Sequence, residues 1–129
     1  MLLGHRDDVA RYFRTAEDLA VVLDDLKARR GDRPYDAIVL VSGGKDSTYM
    51  LYQLVREQGL RPLVFTLDNG FISPAAIENI RTACADLGVD LHIGSTPHMN
   101  AIFVDSLERH SNVCNGCYKT IYTLSMSLA

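Results

Sequence analysis

Six consecutive residues, Ser42-Gly43-Gly44-Lys45-Asp46-Ser47, hold the groups that an anion site needs. Paired glycines let backbone N–H groups turn toward a ligand, and a helix starting there adds partial positive charge. Lys45 brings a full positive charge, and Ser42 and Ser47 bring hydroxyl donors. Asp46 brings a carboxylate suited to Mg²⁺, which favours carboxylate and phosphate oxygens. The set points to a polyphosphate. A second chemical signal, Cys114-Asn115-Gly116-Cys117, places two thiols three residues apart.

The surroundings of the first motif fit that reading. An apolar run, Ala37-Ile38-Val39-Leu40-Val41, precedes it and reads as a strand over Asp36 to Val41. A helix is expected from about Thr48 to Gln58, stopped by Gly59. Several nucleotide and nucleophile loops are excluded by the letters. A G-x-x-x-x-G-K-[ST] loop needs glycine where Val39 stands and Ser or Thr where Asp46 stands. No G-x-G-x-x-G spacing occurs, and G-x-S-x-G would need glycine at Leu40.

The remaining elements follow from periodicity and punctuation. A first helix should start near Thr15, with Asp18 as a loose capping partner and Leu19, Val22, Leu23 and Leu26 on one face. Pro62 to Leu67 reads as a second strand. Ser73-Pro74 is a cap followed by proline at the first helical position. That helix carries Ile77, Ile80, Cys84 and Leu87 inward and ends at Gly88. Val89 to Ile93 reads as a third strand. Thr96-Pro97 opens a helix with Met99, Ile102, Phe103 and Leu107, and a last helix is expected from about Tyr118, with Ile121, Leu124 and Leu128 inward.

Strand, helix, strand, helix, strand is a parallel α/β pattern with helices on both sheet faces. Ligands in such sheets bind beyond the carboxyl ends of the strands. That edge would gather Ser42 to Ser47, Asp68-Asn69-Gly70 and Gly94-Ser95-Thr96. Asp68-Asn69-Gly70 reads equally well as an ordinary turn.

The loop letters match S-G-G-x-D-S at every fixed position, and the chain thereby resembles the PP-loop ATP pyrophosphatases. Members of that family cleave ATP between the α and β phosphates and adenylate a substrate oxygen. A nitrogen or sulfur nucleophile then displaces AMP. The resemblance implies an adenine nucleotide alpha hydrolase-like fold, a Rossmann-like three-layer sandwich around a parallel sheet. It spans about Tyr35 to Ala129, the N-terminal portion of such a domain, after an N-terminal helical extension over residues 1–34. Family domains usually have five strands, so the sheet reads as incomplete at the C-terminus. A homo-oligomer, or a missing C-terminal domain of a longer enzyme, is expected to complete it. By the resemblance, ATP and Mg²⁺ are the cofactors, Lys45 and Asp46 carry catalysis, and Asp46 holds Mg²⁺. Ser42 to Ser47 cradle phosphates, and Thr66 and Asp68 lie near the ribose and adenine. The acceptor and any amine- or sulfur-donor subunit are not specified.

The cysteine pair resembles a C-x-x-C that related N-acetyl sugar amidotransferases carry before an aromatic-rich helix, here Tyr118, Ile121 and Tyr122. Three readings stay open for Cys114 and Cys117. They supply half of a zinc site, they perform redox or persulfide chemistry, or they are inert. His98, His110 and Cys84 are the candidate extra zinc ligands in this chain. Cys84 reads better as core, His92 as a strand packing residue, and Tyr49 and Tyr52 as packing. His98 stands near the ligand edge. Lys119 reads as a solvated helix residue.

Composition bounds the rest. The chain has 129 residues, 47% apolar and 22% charged, as in ordinary globular domains. A net charge of −3 gives no basic footprint, which makes nucleic acid an unexpected partner. His5 and the mixed Arg6, Asp7, Asp8, Arg11, Arg14 segment read as a solvated tail. No apolar run approaches the ~20 residues of a membrane span. No secretory h-region is seen, so the cytoplasm is the expected location. Three cysteines argue against a disulfide framework. Besides the adenylating enzyme, two classes compete. One is a non-catalytic adenine nucleotide module like universal stress-type sensors. The other is a scaffold domain within a larger biosynthetic enzyme.

Overall fold

The computed structural model describes residues 16–129. Thr15, His5 and the charged tail up to Arg14 lie outside the described residues. Helix α1 (Ala16–Ala28) precedes β1 (Ala37–Leu40), α2 (Lys45–Tyr52), β2 (Pro62–Asp68), α3 (Pro74–Leu87), β3 (Asp90–Ser95), α4 (Met99–His110) and α5 (Val113–Leu128). Three strands form one parallel sheet in the order β1-β2-β3. Leu40 lies beside Phe65, and Asp68 beside Ser95. The chain is therefore α/β, with a three-strand parallel sheet between helices.

Strand alternation divides the core into two layers. Val39, Val41 and Val64 point to one face and pack with Leu51, Ile80 and Cys84 from α2 and α3. Phe65 and Leu67 point to the other face and pack with Met99, Ile102, Ile121 and Leu124 from α4 and α5. Val64 and Phe65 are 0% and 2% exposed, so β2 is covered on both faces, as the centre of a parallel sheet requires. Cys84 is core, and burial raises its thiol pKa.

Several helix limits differ from the sequence reading. Helix α2 begins at Lys45, three residues early, and continues from Gln53 to Glu57 as a π-helical turn. There Gln58 N–H donates to Gln53 O at 3.0 Å. Arg56, within that turn, donates from its guanidinium to Asp86 O on α3 at 3.0 Å. Helix α5 begins at Val113, five residues before Tyr118, because Asn112 caps it by accepting from Cys114 N–H at 2.9 Å. The cysteine pair thus lies inside the helix, not before it. Gly116 does not break that helix. It is a crossing point, where a Cβ would come within 2.8 Å of Ile102.

Some expected core positions are at the surface. Leu19, Val22 and Leu107 are exposed, and of the α1 face Leu23 alone is buried. Leu128 is also exposed. Tyr49 and Tyr52 stack on each other at the surface instead of packing inward. His92 is exposed, yet its ring stacks on Phe65 at 5.9 Å. Gly94 leaves room for that arrangement, since a Cβ there would meet the Phe65 ring at 2.7 Å. The α3 limits agree with the sequence. Ser73 Oγ accepts from Ala76 N–H at 3.1 Å, and Gly88 closes the helix in the left-handed conformation.

Candidate nucleotide site at the carboxyl edge

The chain leaves β1 through a braced exit. Val41 N–H still donates to Phe65 O at 3.0 Å. The buried Thr66 hydroxyl donates to Val41 O at 2.6 Å. Thr66 therefore holds the root of the loop from below, and its hydroxyl proton is committed there.

Beyond Val41 the loop closes around one atom. Ser47 Oγ donates to Gly44 O at 3.1 Å and lies 3.2 Å from Ser42 Oγ, while Ser42 N–H donates to it at 3.3 Å. The Ser47 hydroxyl thus folds the loop upon itself. Thr48 also donates to Gly44 O, from its hydroxyl at 3.0 Å and its backbone N–H at 3.1 Å. Gly43 has φ +79°, and a Cβ there would sit 2.5 Å from Ala76 O. Glycine is required for both reasons. This approach seats the loop on the first turn of α3.

Gly44 occupies the N-cap of α2 and offers no side chain, so no capping bond reaches the first turn. Open N–H groups at a helix start are donors for an anion. Lys45 and Asp46 pair at 3.2 Å, with side chains 93% and 90% exposed. Such a pair contributes little to stability and is free to rearrange. Gly43, Lys45 and Thr48 line a cavity of about 620 Å³ with Tyr49, Tyr52 and Asn79.

Asp68 stands on the same edge in a different cavity, of about 320 Å³, with Asn69, Gly70, Ser95, Thr96 and Asn100. Its carboxylate accepts from Gly70 N–H at 3.0 Å, and Asn69 accepts from Phe71 N–H at 2.9 Å. Both are local turn bonds, so turn chemistry accounts for these residues. Ser42 to Ser47 form one unit, with Thr66 beneath it, and Asp68 lines the neighbouring space.

The thiols approach this edge from the other sheet face. Cys114 is exposed, and Cys117 is half-buried against the second core layer. Asn69 Nδ2 donates to Cys117 Sγ at 3.6 Å. Sequence reasoning missed this contact, since 48 positions separate the partners. His98 and His110 line a cavity of about 580 Å³ along the α4–α5 crossing. Among the described residues, no group of three or more His, Cys, Asp or Glu side chains could hold a metal ion. The zinc ligands proposed from sequence are therefore not assembled there. Nor is any described helix long and apolar enough to cross a membrane.

No protein-family model matches the chain. Over 105 residues it is 31% identical to the uncharacterized protein MJ1599 of Methanocaldococcus jannaschii. The alignment covers 81% of this chain and 37% of that protein, so the chain spans little more than a third of the relative's length.

Proposed function

We propose that the chain is a PP-loop ATP-binding domain that adenylates a substrate oxygen with release of pyrophosphate, preparing nitrogen or sulfur transfer. The reading rests on one observation: a Gly-Gly-Lys loop enters an uncapped helix at the carboxyl end of a parallel strand. N–H groups from Gly43 to Ser47 would meet the β and γ phosphates. Lys45 would leave Asp46 and neutralise charge that grows on the phosphates, a large electrostatic contribution in such chemistry. Asp46 would then be free to hold Mg²⁺. No side chain needs to act as a nucleophile, because positioning and charge lower the barrier.

Calorimetric titration of Mg-ATP into wild type and Lys45→Ala tests this. Saturable binding lost in the variant supports the loop as the site. Pyrophosphate release with a candidate acceptor, abolished in both Lys45→Ala and Asp46→Ala, supports adenylation. Binding that survives in Lys45→Ala overturns the site. Tight binding without pyrophosphate release for any oxygen, nitrogen or sulfur acceptor favours the non-catalytic module.

A further inference from the structure

The contact between the β2 loop and the α5 thiols carries an inference that does not depend on the nucleotide reading. Cys114 and Cys117 both belong to the first turns of α5, one exposed and one half-buried. Residues three apart lie on one helix face, with Cβ atoms roughly 5–6 Å apart. A disulfide needs about 3.5–4.5 Å between Cβ atoms, so an undistorted turn cannot close it. A tighter 3₁₀ turn brings positions i and i+3 into register. The first turn of α5 presents Cys114 at the protein surface, and closing the pair requires that turn to tighten in this way.

That turn is wired to its surroundings at three points. Asn112 caps Cys114 N–H, Ser106 Oγ accepts from Gly116 N–H at 3.0 Å, and Cys117 Sγ accepts from Asn69 at 3.6 Å. Asn69 in turn accepts from Phe71 N–H, and Phe71 rests on Phe103 of α4 at 5.5 Å. Movement of the Cys117 sulfur therefore has a direct mechanical route to the loop that lines the Asp68 cavity.

We propose that Cys114 and Cys117 form a reversible dithiol–disulfide pair whose oxidation releases Asn69 and loosens the loop after β2. The oxidant is a small-molecule disulfide such as glutathione disulfide. The exposed Cys114, as thiolate, attacks one sulfur of the oxidant, forming a mixed disulfide and expelling one thiol. Cys117 then loses its proton and attacks the Cys114 sulfur, expelling the second thiol. Two electrons and two protons pass to the oxidant, which leaves as two thiols. Joining Cys117 to Cys114 draws its sulfur off Asn69, and the Asx turn loses its anchor.

The test equilibrates the whole chain with glutathione and glutathione disulfide at several ratios, then quenches with acid and alkylates the unfolded protein. Mass spectrometry is expected to find a Cys114–Cys117 link, two hydrogens lighter, with Cys84 alkylated. Amide exchange at Gly70 and Phe71 is expected to rise several-fold in the oxidised protein. Reduced Asn69→Ala should show the same rise, and Cys114→Ser should show none under any ratio. Finding mixed or intermolecular disulfides only, at every ratio, overturns the proposal. So does a Cys114–Cys117 link that leaves exchange at Gly70 and Phe71 unchanged.

Discussion

The two ends of the sheet treat charge in opposite ways. At the amino end, the Asp36 side chain is fully buried. It accepts from Arg30 Nε at 2.9 Å and Nη2 at 2.5 Å, and from Arg61 N–H at 2.8 Å and Nη2 at 3.2 Å. Every lone pair direction has a donor, and Arg30 also donates to Gly59 O at 3.0 Å. At the carboxyl end, Lys45 and Asp46 stand almost wholly in solvent and the helix start has no cap. One end uses its ionic groups to fasten α1, β1 and β2 together. The other leaves donors unspent. A group that is already satisfied has little to offer a ligand, so under the nucleotide reading the phosphate is expected at the carboxyl edge and not at the amino end.

Gly43→Ala gives the largest expected loss. It forces a left-handed residue to carry a Cβ and drives that atom into Ala76 O. We expect about 3 kcal/mol of destabilisation, from roughly 1 kcal/mol of backbone strain plus the clash. Urea unfolding measures it. If stability were unchanged, the loop would not be seated on α3, and the contrast between a rigid cradle and a labile charge pair would fail.

Asp36→Asn should cost about 2 kcal/mol, because two arginines lose a buried carboxylate. The pH dependence follows from the same contacts. Burial alone would raise the Asp36 pKa, but the Arg30 side chain and the backbone and side chain of Arg61 outweigh it and lower the value from 3.8 to about 2. A depressed folded-state pKa gives stability that is fully present above about pH 4. It is lost as pH falls toward 2, and amounts to about 2 kcal/mol in all. Unfolding curves at pH 5 and pH 2.5 should differ for wild type and differ less for Asp36→Asn. Equal slopes would detach the network from acid stability.

Ser73→Ala sharpens the comparison at a smaller scale. It removes the side chain that accepts from Ala76 N–H, and helix caps of this kind contribute about 1 kcal/mol. Helix α3 has a cap and α2 has none, although both start on the same side of the sheet. Placing a cap on α2 by Gly44→Ser should raise stability by a few tenths of a kcal/mol, since glycine is already a tolerable N-cap. Under the nucleotide reading the same change should weaken Mg-ATP binding, because the serine hydroxyl would take N–H groups otherwise open to phosphate.

Legibility in the sequence followed how local each cause is. Ser73-Pro74 and Gly88 mark α3 at both ends because caps act over three or four residues. The run from Pro62 to Leu67 was legible as a strand, whereas its place at the centre of the sheet came only with the fold. The glycine loop was legible as a unit, and its letters stand together in space. Features set by distant partners were not legible. The role of Thr66 depends on Val41, and the need for glycine at position 43 depends on Ala76. Asn69 meets Cys117 only because α5 packs on the far face of β2. Helix α5 was expected from Tyr118 and starts at Val113, and the glycine inside it is selected by packing against Ile102 on a distant helix. The tyrosines on α2 read as packing residues, and they do pack, but on each other at the surface.

Lys45→Ala should have the smallest effect on stability and the most specific effect on binding. The Lys45 side chain is 93% exposed and its ion pair with Asp46 is equally solvated. Exposed pairs of this kind contribute from nothing to about 1 kcal/mol, and alanine is the better helix former at the first turn. The two terms nearly cancel, so unfolding curves should agree within about 0.5 kcal/mol. A residue so costless to remove has no structural reason to be a lysine beside two glycines at the end of a parallel strand. A large loss of stability in Lys45→Ala would mean that the cation fastens the loop as Arg30 fastens Asp36. The carboxyl edge would then be a second structural anchor instead of a site left open for a phosphate.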